Sequence, residues 1–264
     1  MNNAPLNVRS ATLIVIASVI SAFLAGGIVL GIGLSNPESP QKAYTFLSFI
    51  IGQTFMLVPL IWYLISKNQP IIKTLRLKSV SPSTIFNTIL LSFGIIILSD
   101  ELDKIIQIFI KAPEYVVDLD GMLRPESVNG FILLFIAVAI IAPLGEELLF
   151  RGFFQQVLEN HWKDITRAVL VTAMIFAFIH MNPFWFAQIY LLGIILGFLA
   201  WKTNSVVPSL ILHGLNNSMA LLFSFSKVTE SPFYMWSGHI APWIIAPALL
   251  FVILGFKGIN KELS

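Results

Sequence analysis

Long apolar runs follow one another along most of this chain, and short polar segments separate them. A helix that crosses the hydrocarbon core of a membrane needs about 20 mostly apolar residues. Runs of this kind predict about eight transmembrane helices, with seven or nine as the alternatives. They cover residues 11–34, 43–65, 83–98, 129–150, 167–179, 183–201, 206–225 and 240–256. The pattern therefore predicts an all-α, polytopic membrane helix bundle.

The composition agrees with this pattern. Of the 264 residues, 56% are hydrophobic and 11% are charged, whereas a soluble domain carries about 25% charged residues. So few charges cannot cover the surface of a water-soluble protein, which excludes a soluble enzyme and a disordered tail. The net charge of +2 provides no basic surface for nucleic acid, and the absence of cysteine excludes disulfides and a thiol nucleophile. We expect residues 1–264 to form one transmembrane domain in contact with membrane lipids.

The basic residues predict the orientation of the bundle, because lysine and arginine are enriched in cytoplasmic loops. With both termini in the cytoplasm, eleven of the 16 basic residues fall on the cytoplasmic side and five outside. Residues 100–126 hold half of the acidic residues, and we expect an outer loop there, with an amphipathic helix around 105–110 lying on the membrane surface. We therefore expect a multi-pass protein of the cell (inner) membrane with cytoplasmic termini.

Two adjacent carboxylates, Glu146 and Glu147, come shortly after an unbroken apolar stretch. An ionisable side chain near the centre of a membrane helix costs at least ~2.5–3.5 kcal/mol, so such residues mark functional sites. On a helix, Glu147 and Arg151 share a face and can form a salt bridge, whereas Glu146 points about 100° away and is left for another partner. The structural alternative, an ion pair that only locks two helices, needs a single glutamate.

Two further polar clusters lie in apolar runs. His180 follows Phe176 by four residues at the end of the fifth run, although a lone histidine in a membrane is more often a hydrogen-bonding residue between helices. His213 and Asn217 are also four residues apart, so both side chains project from one face of the seventh span. The alternative for this pair is a polar patch that holds helices together.

The spacing along the chain predicts that these clusters meet. The polar residues around 163 form the tip of a helical hairpin, and Glu146 and His180 lie at equal distances from that tip. Each is ~25 Å from it at the rise of an α-helix, so we expect the two side chains to lie side by side. With His213 on a third helix, the prediction is a buried site inside the membrane, nearer the cytoplasmic face.

The chemistry of this set leaves two alternatives open. A carboxylate that is removed from water can act as a general base near neutral pH, and a histidine beside Glu146 can share the proton while Asn217 donates to a developing oxyanion. The reaction that fits is hydrolysis of a peptide bond by an activated water. The same His180, His213 and Glu146 could instead hold a zinc ion with water in the fourth position.

Three motifs in order, Glu-Glu-x-x-x-Arg at 146–151, Phe-x-x-x-His at 176–180 and His-x-x-x-Asn at 213–217, resemble those of the CPBP family. These are the intramembrane CAAX-prenyl-protease-like and bacteriocin-processing enzymes, and the resemblance covers a catalytic core of about residues 129–225. It implies that Glu146 with His180 activates water, that His213 and Asn217 stabilise the oxyanion, and that Glu147, Arg151 and Phe176 support the site. It also implies a divalent metal in some accounts of the family.

The resemblance further implies a membrane-embedded peptide or protein substrate that is cleaved near its C-terminus, with or without a lipid group. An ion- or proton-coupled transporter, using the buried glutamates and histidines as a relay, is the main alternative from another class. A catalytically silent membrane scaffold or immunity protein is the third. Gly193 and Gly197 allow close helix packing, for which contact within the chain is favoured over a dimer interface.

Overall fold

The apolar runs form helices in the computed structural model, which describes residues 6–36, 38–111, 113, 114, 116 and 123–262. Within these residues the helices are α1 (Val8–Ser35), α2 (Gln41–Ser66), α3 (Ile71–Thr74), α4 (Pro82–Phe109), α5 (Val128–Trp162), α6 (Ile165–Ile179), α7 (Phe186–Thr203), α8 (Val207–Phe225) and α9 (Pro242–Glu262). A 3₁₀ turn at Lys227–Glu230 and a two-stranded antiparallel hairpin, β1 (Met235–Trp236) and β2 (His239–Ile240), connect α8 to α9. The predicted all-α helix bundle is confirmed.

Six of the described helices, α1, α2, α4, α5, α7 and α9, are long and apolar enough to cross a membrane. The fifth and seventh predicted spans form α6 and α8, which do not reach that standard. With 15 residues, α6 is about 22 Å long at 1.5 Å per residue, and α8 carries the polar His213, Asn216 and Asn217. Long apolar side chains on the outer faces, such as Ile28 and Trp62, are exposed as expected for contact with lipid.

Side-chain caps define where several helices begin. Asn7 accepts a hydrogen bond from the Ser10 amide at 2.7 Å, and Ser127 accepts one from the Gly130 amide at 3.1 Å. Asp164 caps α6 by accepting from the Arg167 amide at 2.9 Å. These caps satisfy amides that have no partner within the helix. Lys163 adopts a left-handed conformation with φ 55°, so the chain reverses there between α5 and α6, as the hairpin prediction requires.

One predicted boundary is wrong. The third predicted span ended at residue 98 and a separate surface helix was expected around 105–110, but α4 runs without interruption to Phe109. Its acidic residues have specific partners: Tyr234 donates to Asp100 at 2.7 Å, and Gln188 donates to Asp103 at 2.8 Å. Each of these carboxylates accepts a hydrogen bond from another part of the chain, and α4 continues past both of them. Residues 117–122 of the predicted outer loop, and the two chain ends to which the prediction of cytoplasmic termini refers, lie outside the described residues.

The central helix α5 changes its winding on both sides of the glutamate pair. It is π-helical at Ile136–Ile141 and again at Leu148–Phe154, with an α-helical turn at Ala142–Glu147 between them. Pro143 lacks an amide proton and cannot bond the carbonyl of Ala139 four residues earlier. Helix α8 packs against this opened segment, because a Cβ at Gly214 would lie only 3.1 Å from that carbonyl oxygen. Wide turns of this kind are common at functional sites.

Candidate active site

The structure brings Glu146 and both predicted histidines together. Oε2 of Glu146 lies 3.8 Å from Nε2 of His213 and 4.0 Å from Nε2 of His180. Three elements supply these groups: the middle of α5, the residue directly after α6, and the middle of α8. The prediction that Glu146 and His180 lie side by side is confirmed. The chain reverses at Lys163, and the two side chains then come within 4.0 Å of each other.

The hydrogen bonds of the two rings determine which nitrogen faces Glu146. Nδ1 of His180 lies 2.7 Å from the carbonyl oxygen of Phe176, and Nδ1 of His213 lies 2.8 Å from Oε1 of Glu147. Because a carbonyl and an ionised carboxylate only accept, Nδ1 carries the proton in both neutral rings. The Nε2 atoms that face Glu146 are therefore acceptors, and Oε2 of Glu146 is itself a buried atom without a hydrogen-bond partner. Three acceptor atoms, Oε2 of Glu146 and the two Nε2 atoms, therefore lie close together.

Glu147 makes two contacts at once. Its Oε1 accepts a hydrogen bond from Nη1 of Arg151 at 2.9 Å, which confirms the predicted salt bridge, and it also holds His213. Both members of the salt bridge are fully buried. The contact with His213 was not predicted, because it joins residues 66 positions apart. Glu147 therefore does more than pair with Arg151, since it also fixes the orientation of the His213 ring.

Phe176 lies at the centre of the site. Its ring packs edge-to-face on His180 and His213, with centroids 4.7 and 5.9 Å apart, and the guanidinium of Arg151 lies 4.0 Å from its centroid. Arg151 reaches further to donate to the carbonyl of Gly193 at 3.3 Å. A Cβ at Gly193 would lie 3.4 Å from Nη2 of Arg151, so this glycine serves packing within the chain, as favoured above.

Asn217 lies on the same face of α8 as His213. Its Nδ2 donates to the carbonyl of Val138 at 2.9 Å, in the first π-helical segment of α5. The amide has a second proton, which leaves one donor for another partner. Asn217 thus lies at the junction of α5 and α8, where one of its two side-chain amide protons is used in a hydrogen bond.

Sequence reasoning missed Gln53, which lies in the middle of α2. Its Nε2 donates to Oε1 of Glu146 at 3.1 Å. The available signal was a polar side chain in the middle of the second apolar run, where such residues are unusual.

A cavity of about 330 Å³ opens onto the site. Glu146, Gln53 and His180 line its inner end, and apolar residues of α1 and α2 form its walls. The His180 side chain is 30% exposed, against 4% for His213, so His180 is the histidine that faces the cavity. The cavity joins a buried carboxylate to an apolar space of the size of several side chains.

The predicted zinc ligands have suitable chemistry but a wide arrangement. In a tetrahedral centre with bonds of about 2.0 Å, neighbouring ligand atoms lie about 3.3 Å apart, whereas both separations from Glu146 are larger, at 3.8 and 4.0 Å. In the described parts of the chain no group of three or more histidine or acidic side chains is placed to hold a metal ion. The residues as arranged do not fit a metal centre.

Comparison with known proteins agrees with the position of this site. Residues 128–219 match the family model of the Rce1-like type II CAAX prenyl endopeptidases. The match confirms the resemblance predicted from the three motifs, and it shows that this segment is similar to a family of CAAX-type intramembrane proteases. The matched segment contains Glu146, His180 and His213, and it does not include α1, α2 or α4.

Two curated proteins are similar to part of the chain. The UPF0177 protein YbdI of Lactococcus lactis subsp. lactis (strain IL1403) is 29% identical over 117 residues, which are 41% of this chain and 62% of that protein. An uncharacterized 24.3 kDa protein of Escherichia coli is 28% identical over 106 residues, which are 39% of this chain and 49% of that protein. The chain thus spans roughly half to three fifths of these relatives. No solved structure is significantly similar to it.

Proposed function

We propose that this protein is an intramembrane endopeptidase that uses Glu146 and His180 to activate water. The observation that carries the proposal is the convergence of Oε2 of Glu146 with two imidazole Nε2 atoms at 3.8 and 4.0 Å, beside a cavity. These distances are too long for direct hydrogen bonds, and a water molecule between such groups is a natural bridge. A water between them can donate to two of these acceptors, and one of the two can then take its proton.

The steps follow from the groups present. Glu146 removes a proton from the water, whose oxygen forms a bond to the carbonyl carbon of the substrate while the C=O π electrons move to oxygen. The free proton of Asn217 stabilises this oxyanion, and His213 does so through Nε2 while it shares the water proton with Glu146. The carbon–nitrogen bond then breaks as the proton passes from Glu146 to the leaving nitrogen, which yields a carboxylic acid and an amine. Glu147 supports His213 as an acidic residue supports the histidine of a catalytic triad.

The cavity supports a membrane-associated peptide as substrate. Phe23 on α1 and Phe49 on α2 line it and are themselves 54% and 39% exposed, so it opens toward the lipid-facing side of these helices. An apolar segment or a lipid-bearing C-terminus would enter there, with cleavage near the C-terminus of the substrate. The excess of basic residues in alternate loops favours both termini in the cytoplasm of a cell (inner) membrane.

Exchange of Glu146 for glutamine tests this function, because glutamine keeps the shape and cannot accept the proton. C-terminal peptides are compared between cells that express wild-type protein and cells that express Glu146→Gln. We expect new C-termini only with the wild type, and a loss of at least about 100-fold in cleavage with the variant. The control is Glu126→Gln, which changes a side chain that is 78% exposed and leaves the site intact.

Identical sets of C-terminal peptides with both folded proteins would overturn the proposal and leave a transporter or a scaffold. The sequence also allowed a metal-dependent mechanism, in which Glu146, His180 and His213 bind a divalent ion. Elemental analysis of active, purified protein tests this alternative. That alternative requires the ligand atoms to move closer than they lie here, and active protein without stoichiometric metal would exclude it.

A further inference from the structure

We infer that Gln53 is a positioning residue for the general base, holding Glu146 so that Oε2 faces the two histidines. This inference rests on the proposed function. Gln53 belongs to α2, which lies outside the segment shared with the CAAX-type proteases. Helix α2 would then contribute to the reaction, as well as to the wall of the cavity.

The contact depends on a close approach of α2 and α5. A Cβ at Gly145 would lie 3.1 Å from the carbonyl oxygen of Gln53, so the absence of a side chain at Gly145 allows the two backbones to come together. The hydrogen bond from Nε2 of Gln53 to Oε1 of Glu146 is 3.1 Å long. It occupies one carboxylate oxygen and leaves Oε2 directed toward Nε2 of His180 and of His213.

The two adjacent glutamates are held by different kinds of donor. Glu147 pairs with the guanidinium of Arg151, which is a charged donor. Glu146 receives a neutral amide from Gln53. A neutral donor fixes the orientation of a carboxylate without forming a salt bridge with it. This difference explains why two glutamates in sequence can have separate roles.

The other end of the Gln53 amide faces a different environment. Its Oε1 is buried and has no hydrogen-bond partner, and Gln53 lines the same cavity as Glu146 and His180. Among the described residues, seven other buried side-chain atoms also lack a partner, Oε1 of Gln155 among them, so the position of Gln53 on the cavity wall beside Glu146 carries the argument. The arrangement is that of a side chain placed between the base and the space where substrate binds.

The test is Gln53→Met, which keeps the length of the side chain and removes the donor. With the substrate identified by the C-terminal comparison, we expect kcat to fall by about 100-fold, while KM changes little because Glu146 acts on the reacting water. The matched control is Gln188→Met. It removes a similar glutamine–carboxylate contact, from Gln188 to Asp103 at 2.8 Å, away from the site, and should leave kcat unchanged.

A second measurement needs no substrate. Infrared spectroscopy of the purified protein identifies the carboxylate band of Glu146 as the one lost in Glu146→Gln. We expect that band to shift in Gln53→Met, and in the shorter Gln53→Asn if Gln53→Met does not fold, but not in Gln188→Met. An unchanged band together with wild-type kcat would overturn the role of Gln53. If Glu146→Gln itself still cleaves, the proposed function fails instead, so the two outcomes are distinguishable.

Discussion

Two histidine–carboxylate pairs with nearly equal geometry lie in different parts of this molecule. In the central pair, Nδ1 of His213 is 2.8 Å from Oε1 of Glu147. In the peripheral pair, at the end of α4, Nδ1 of His239 is 2.7 Å from Oε1 of Glu101. Each glutamate also follows another acidic residue in the sequence. The two pairs are therefore alike in chemistry and in local sequence.

They differ in burial and in what remains unpaired. The side chains of His213 and Glu147 are 4% and 0% exposed, whereas those of His239 and Glu101 are 45% and 14% exposed. At the periphery, the second oxygen of Glu101 accepts from the Ile240 amide at 2.8 Å. In the centre, Oε2 of Glu147 and Oε2 of the adjacent Glu146 are both buried without a hydrogen-bond partner. The peripheral cluster holds the β-hairpin on α4, whereas the central cluster keeps buried acceptor atoms without a partner.

The largest expected effect comes from Glu147→Gln. It leaves the fully buried cation of Arg151 without its counter-charge, and removal of one member of a buried pair costs about 3–5 kcal/mol. We expect a matching loss in the free energy of unfolding in detergent, together with loss of cleavage because the His213 ring is no longer fixed. A variant as stable as the wild type would show that Arg151 is neutralised by another group.

A smaller effect is expected for Glu101→Gln in the peripheral cluster. Loss of the charge weakens two hydrogen bonds, to His239 and to the Ile240 amide, and we expect about 1–2 kcal/mol of destabilisation. Because both side chains are partly exposed, water replaces the lost contacts. Cleavage should stay at the wild-type level. Loss of cleavage in a stable variant would contradict the separation of the two clusters.

The smallest effect concerns Tyr234, which donates to Asp100. Burial, and after it the hydrogen bond to Asp100, raises the pKa of the Tyr234 phenol above its usual value. Because the folded protein holds this proton more tightly than the unfolded chain, the stabilisation is fully present below about pH 10, the ordinary tyrosine value, and is lost as the pH rises further.

The variant Tyr234→Phe should therefore lose about 0.5–1 kcal/mol at neutral pH, and this difference should shrink at alkaline pH. Thermal unfolding of both proteins between about pH 8 and pH 11 measures it. Parallel curves over that range would show that the phenol proton does not contribute to stability.

Local spacing predicted a large part of the structure. Five of the eight apolar runs lie within helices and the other three begin one to three residues before theirs. The contact of Glu147 with Arg151 follows from a separation of four residues. The position of His180 beside Glu146 follows from equal distances to one turn. The end of α4 was not predicted, because its acidic residues are satisfied by Tyr234 and Gln188, which are 134 and 85 residues away.

By itself, the sequence determined that this is a membrane helix bundle and which side chains are expensive to bury in lipid, since both depend on composition and on periodicity along single helices. Only the tertiary structure decided which of those side chains meet. Helix α2 contributes Gln53 to Glu146 across 93 residues, and α8 contributes His213 to Glu147 across 66. Such contacts depend on the depth and rotation of each helix against its neighbours, and close packing at glycines such as Gly145 and Gly214 sets these quantities.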